Sequence, residues 1–109
     1  MSSLSMIMMY TMVGSIEDAH SLATKVIETK LAACVNILPA HQSMYFEEGA
    51  IKCTSEVGLF IKVLEDNYEF TYEAIKSWHP YQVPAILSWP VEANQAYSIW
   101  AYQQTQAIV

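Results

Sequence analysis

The apolar positions of this chain follow two different periods. In "SMIMMYTMV" they form a short, nearly unbroken run from Met6 to Val13, bounded by Ser5 and Gly14. Such a run marks a central strand covered on both faces. Gly14 and Ser15 end it, and Ser15 followed three residues later by Asp18 resembles a capping box. Ile16, Ala19, Ala23, Val26, Ile27 and Leu31 then recur at helical spacing, which predicts a helix of about four turns.

The next stretch holds two β-rich runs joined around Glu48 and Gly49, so a long hairpin is expected, with Pro39 breaking or bulging its first arm. In the second arm Val57, Leu59, Ile61 and Val63 alternate with Glu56, Gly58, Phe60 and Lys62, giving one core face and one mixed face on which Phe60 needs a cover. A continuous strand from Ile51 to Leu64 would be ~45 Å long, against a radius of gyration of ~13 Å for a domain of this size. Part of the hairpin must therefore overhang the body. Its exposed edge calls for pairing with a neighbouring chain.

Asp66 or Asn67 is placed to cap a second helix, in which Tyr68, Tyr72, Ile75 and His79 recur at intervals of three and four and which Pro80 stops. "AILSWP" reads as a short strand closed by Pro90, and Ala93, Ala96, Tyr97 and Trp100 suggest a last helix. The order βαββαβ plus a helix predicts one α+β domain over residues 1–109, a ferredoxin-like sandwich with a long hairpin and an extra C-terminal helix.

Composition changes this picture in two ways. The chain is 53% hydrophobic and 15% charged, more apolar surface than a body of 109 residues easily hides, so burial between subunits is expected. The net charge of −6, with five Lys and Arg, argues against a nucleic-acid partner and makes cations the natural charged partners. The apolar run from Leu4 to Val13 is far shorter than the ~20 residues a membrane helix needs, and no basic residue precedes it. A cytoplasmic protein with reduced Cys34 and Cys53 is the expectation.

Among candidate chemistry, His79 stands at a helix end, where an imidazole either caps the last carbonyls or binds Cu(II) or Zn(II). Cys34 lies in the core-like run "AACVNI", whereas Cys53, near the hairpin turn, is expected to be exposed. Met6, Met8 and Met12 fall on one face of the first strand and Met9 on the other, which suits core filling better than a thioether site. His20 and His41 read as surface residues. No catalytic or phosphate-binding motif occurs, so an enzyme is not expected.

Three segments carry a resemblance: "KLAACVNILP" from Lys30 to Pro39, "YFEEG" from Tyr45 to Gly49 with "SEVGLFIK" after it, and "HPYQVPAIL" from His79 to Leu87. In order and spacing they resemble the CutA divalent-cation-tolerance family, from about Met6 to Tyr102. The resemblance implies a PII-like homotrimer whose hairpins pack on neighbouring subunits, a link to copper or another divalent cation, and no established enzymatic activity. On this reading His79 and Cys34 are the metal-contact candidates, and Tyr81 and Gln82 line an intersubunit cleft. The alternative is a trimeric scaffold or PII-like sensor that takes a small molecule or partner protein in its clefts. The chain departs from the family pattern with Glu47 at a position usually Trp and Ala85 where an acidic residue commonly follows "VP". Tyr10 and Trp78 replace a cysteine and a histidine found in some members.

Overall fold

The computed structural model describes residues 4–106. It contains β1 (Met6–Val13), α1 (Ile16–Glu28), β2 (Cys34–Glu47), β3 (Ala50–Leu64), α2 (Tyr68–Trp78), β4 (Ile86–Val91) and α3 (Gln95–Gln104). The strands form one antiparallel sheet in the order β2-β3-β1-β4. The apolar run of β1 is thus paired on both sides, as its composition requires.

Local chemistry explains most boundaries. Ser15 is extended, and its Oγ accepts a hydrogen bond from the Asp18 amide at 3.1 Å, opening α1. The helix closes in a Schellman turn: the Leu31 amide donates to the Val26 carbonyl and the Lys30 amide to that of Ile27. Lys30 takes the left-handed position, at φ 64°. The hairpin turns on Glu48 and Gly49, both at positive φ, as a tight two-residue turn requires. The register of β2 against β3 shifts between Ile37 and Ala40, around Pro39, which has no amide proton to give the ladder.

Two sequence expectations differ in detail. Neither Asp66 nor Asn67 supplies a side-chain cap; a 3-10 turn over Glu65–Asn67 leads into α2, and the Glu65 amide donates instead to the Ser5 carbonyl at 2.8 Å. Pro90 does not close β4 but lies within it, opposite Ile7, because β4 is an edge strand and tolerates a residue without an N–H.

The sheet has two unlike faces. On one, α1 and α2 cover Met9, Val13, Leu59, Ile61 and Val63, which pack with Leu22, Val26 and Ile75. On the other, α3 covers one end, where Met6, Ala33, Leu64 and Ala101 form a smaller cluster. Beyond α3, Phe60 finds its cover in Tyr10, at a ring distance of 5.1 Å, and in Trp89, at 6.3 Å edge-on. Trp89 remains 42% exposed and its neighbour Leu87 54%. Gly58 lies beneath Tyr10, where a β-carbon would sit 2.6 Å from the phenol oxygen.

β1 pairs with β3 only as far as Val13 opposite Val57, so the hairpin beyond that point has no third strand. The described residues measure 49 × 26 × 23 Å with a radius of gyration of 15.0 Å, larger than the ~13 Å of a compact domain of this length. The overhang expected from strand length is present. Its end exposes Met44 (68%), Phe46 (72%) and Ile51 (66%).

Candidate functional site

The richest polar arrangement lies where β1 ends, the hairpin departs and the segment after α2 crosses to β4. Pro80 forces the residue before it out of the helical region, and His79 obliges with φ −69° and ψ 135°, its own amide still donating to the Ile75 carbonyl. This turns the imidazole back against the end of β1, where it is buried. His79 Nε2 lies 2.8 Å from the Met12 carbonyl, and Nδ1 accepts from the Tyr81 amide at 3.1 Å. A carbonyl only accepts and an amide only donates, so the ring is the neutral Nε2–H tautomer.

Tyr81 packs edge-on against this ring, 4.9 Å away, and its hydroxyl donates to Glu56 Oε2 on β3 at 2.6 Å. Burial and the Glu56 carboxylate push the Tyr81 phenol up to about 12. Burial is also the main influence on His79 and draws it below its ordinary 6.5, against the opposing pull of the Met12 carbonyl, Glu56 and Asp18. The downstream end of the segment is held by Thr11, whose Oγ1 donates to the Ala85 carbonyl at 2.7 Å. Between segment and hairpin opens a cavity of about 650 Å³, lined by residues including Tyr45, Glu47, Ser55, Glu56, Tyr81 and Val83.

These facts revise the expected site. His79 is not offered as a ligand, because Nε2 carries the proton given to Met12 and the lone pair of Nδ1 is taken by Tyr81. Cys34 is elsewhere: it opens β2 opposite Lys62, which faces Met8 on β1. Met8 and Met12 stand four positions apart on β1, roughly 13 Å of strand, so one chain does not bring His79 and Cys34 together. Tyr81 and Gln82 also part, Tyr81 lining the hairpin cavity and Gln82 a smaller one of about 290 Å³ beside Tyr72 and Lys76 of α2. Among the described residues no three His, Cys, Asp or Glu side chains converge to hold a metal ion.

Cys34 has its own surroundings. It is half-buried and lies near the buried Tyr97 hydroxyl, whose pKa is raised by burial first and by the Cys34 thiol second. Lys62 Nζ lies 5.6 Å from the centre of the Tyr97 ring. Cys53 is exposed on the hairpin and His20 on α1, while His41 is half-buried. Met9 faces the helix-covered core, and Met6 the α3 side, as the alternation predicts. By sequence Glu56 is one polar position in an alternating strand; nothing near it in sequence signals that Tyr81, 25 residues away, binds it.

Comparison with known proteins agrees with this architecture. A divalent-cation tolerance protein CutA of Pyrococcus horikoshii is 37% identical over 102 residues, covering 93% of this chain and 99% of that one. The chloroplastic protein CutA 1 of Oryza sativa is 36% identical over 101 residues, 92% of this chain but 57% of the longer rice protein. The crystal structure of the divalent ion tolerance protein CutA1 from Ehrlichia chaffeensis superposes with a TM-score of 0.92 at 29% identity, covering 94% of this chain and 96% of that one. A family model described as CutA1 divalent ion tolerance protein matches residues 7–104, and the chain belongs to that family.

Proposed function

We propose that the chain forms a cytoplasmic, non-enzymatic, PII-like homotrimer of ferredoxin-like subunits that binds copper or another divalent cation weakly and contributes to metal tolerance. The strand order supports the ferredoxin-like reading. The observation that supports the assembly is the presence of two unfinished surfaces, the aromatic half-face around Phe60 and Trp89 and the apolar end of the overhanging hairpin. Each leaves apolar area in water that a neighbouring copy would remove.

Since no three such ligands converge among the described residues of one chain, the ion would be held by donors from more than one subunit. Cys34, half-buried at the start of β2, is the soft donor in this reading. His79 stays outside the ligand set because both nitrogens are engaged. The test is titration of reduced, metal-free protein with Cu(I), Cu(II) and Zn(II) against competing chelators, with mass followed by light scattering. Saturable binding weakened by Cys34→Ala at constant trimer mass is expected. Binding indifferent to Cys34→Ala would remove the thiol from the site, and a well-behaved monomer would remove the assembly.

The hairpin cavity favours a second reading, a sensor that takes a small molecule. Its volume falls in the range of known ligand sites, and Tyr45 and Tyr81 supply aromatic walls with polar ends. A ligand that raises the melting temperature of metal-free protein, with the gain lost in Tyr81→Ala, would favour the sensor over the metal reading.

A further inference from the structure

We propose that His79 is a proton-operated latch on the wall of the hairpin cavity. The segment from Pro80 to Pro84 is held at two points. At one end the imidazole ties it to β1 through the Met12 carbonyl and the Tyr81 amide; at the other, Thr11 binds the Ala85 carbonyl. Between the pins Val83 is 86% exposed. The segment therefore depends on the first pin for the position of Tyr81, and Tyr81 in turn reaches across to Glu56 on the hairpin.

The first pin works in one protonation state. Neutral His79 has a donor at Nε2 and an acceptor at Nδ1, and each meets its complement. A proton taken from solvent at Nδ1 turns the acceptor into a second donor, which then faces the Tyr81 amide N–H. Two donors cannot share that contact, so the Tyr81 backbone must move away. Its ring and hydroxyl form part of the cavity lining and the bridge to β3, so the wall opens with it.

The charges around the ring set the direction of this change. Glu56 faces it from β3 and Asp18 from α1, both favouring the imidazolium, while β1 presents the Met12 carbonyl. Tyr81 lies on the segment itself and meets Tyr45 of β2. Burial outweighs these, so the closed form holds at neutral pH, and acid opens it. The carboxylate of Glu56, released by the Tyr81 hydroxyl, remains as counter-ion to the protonated ring. The latch stands whether or not the protein handles metal, because it uses no metal donor.

The test is a pH titration of the full-length, metal-free protein labelled with 15N, from about pH 8 to about pH 5, spanning the ordinary histidine range. At neutral pH His79 should show a protonated Nε2 and a bare Nδ1. On acidification, Nδ1 should protonate while the protection of the Tyr81 amide against exchange falls about tenfold or more in step with it. In His79→Asn the amide oxygen can accept from Tyr81 but cannot titrate, so Tyr81 protection should become independent of pH. In Tyr81→Phe the histidine step should survive while the hairpin amides around Glu56 cease to follow it. Protonation of Nδ1 with Tyr81 protection unchanged would overturn the proposal. So would a ring that remains neutral to the end of the titration.

Discussion

The two faces of the sheet are built from the same four strands, yet they end differently. On the helix-covered face Met9, Leu59, Ile61, Val63 and Ile75 have no measurable exposure, because α1 and α2 lie across them. On the other face α3 reaches Met6, Leu64 and Ala33 and stops, leaving Phe60 between two aromatic rings and Trp89 and Leu87 half in water. Neighbouring residues of one strand therefore have different fates: Leu59 is finished by its own chain, and Phe60 stays half-buried, to be completed by another copy only if the proposed assembly forms. A face closed from within should respond to substitution through folding, and a face closed from without through association.

The largest effect should come from Leu59→Ala. Removing a fully buried leucine from a packed core typically lowers stability by about 2–5 kcal/mol, and the loss should be the same at every protein concentration. Phe60→Ala should instead reduce the mass seen by light scattering and make the denaturation midpoint depend more steeply on concentration. If both variants lose stability equally with mass unchanged, the second face is not an interface and the distinction collapses.

Gly58→Ala should come next, since the new methyl meets Tyr10 at 2.6 Å and over-packing of this sort commonly costs about 1–3 kcal/mol. The added methyl forces Tyr10 off Gly58 and disturbs the stack with Phe60. Tyr10→Phe removes the closest contact but leaves the ring carbons at 3.0 and 3.1 Å. The double variant should accordingly recover only part of the loss, read from urea midpoints. Full recovery would show that the hydroxyl alone demanded the glycine.

Acid should act on the closed side, where His79 ends α2. Its native pKa is lowered by burial, so the unfolded chain binds the proton more readily than the folded one. The contribution of His79 to stability is therefore full above its ordinary 6.5 and is lost as pH falls from there through the lower native value. Urea midpoints taken along that range should fall in the wild type and fall less in His79→Asn. Equal slopes would mean that other groups carry the acid sensitivity.

The contrast between the faces also explains what could be read in the sequence. Period two along Val57–Val63 and helical spacing from Ile16 to Val26 are local signals; the first located a strand and its buried side, and the second a helix but only part of its buried stripe, since Ile16 and Ile27 are exposed and Leu22 is buried. Pro39, Pro80 and the Glu48–Gly49 pair acted through their own backbone restrictions and were equally legible. The site depends on register instead. Met12 meets a ring 67 positions away and Glu56 a phenol 25 positions away, contacts that follow from where β1 stops against β3 and from the turn after α2. Cys34 and His79 are compatible as ligands by chemical type, and only the register that sets Cys34 opposite Lys62, and Lys62 opposite Met8, separates them. Pro90 misled because a proline ends a central strand but not an edge one.

The smallest effect should lie at the point where the chain passes from one face to the other. After α1, Lys30 makes the turn that leads to Ala32, which packs into the helix-covered core, and to Ala33, which packs into the cluster beneath α3. A lysine held at φ 64° carries roughly 1 kcal/mol of left-handed strain that glycine does not. Lys30 has an exposed side chain, so Lys30→Gly removes little packing, although glycine returns some entropy to the unfolded chain. The net gain should be a few tenths of a kcal/mol, up to about 1. Because the substitution touches neither face, the denaturation midpoint should rise by the same amount at high and low protein concentration, with the mass unaltered. A gain that varied with concentration would mean that the crossing itself touches a neighbouring chain, and the division between an inner and an outer closure would then have to be drawn through α1 as well.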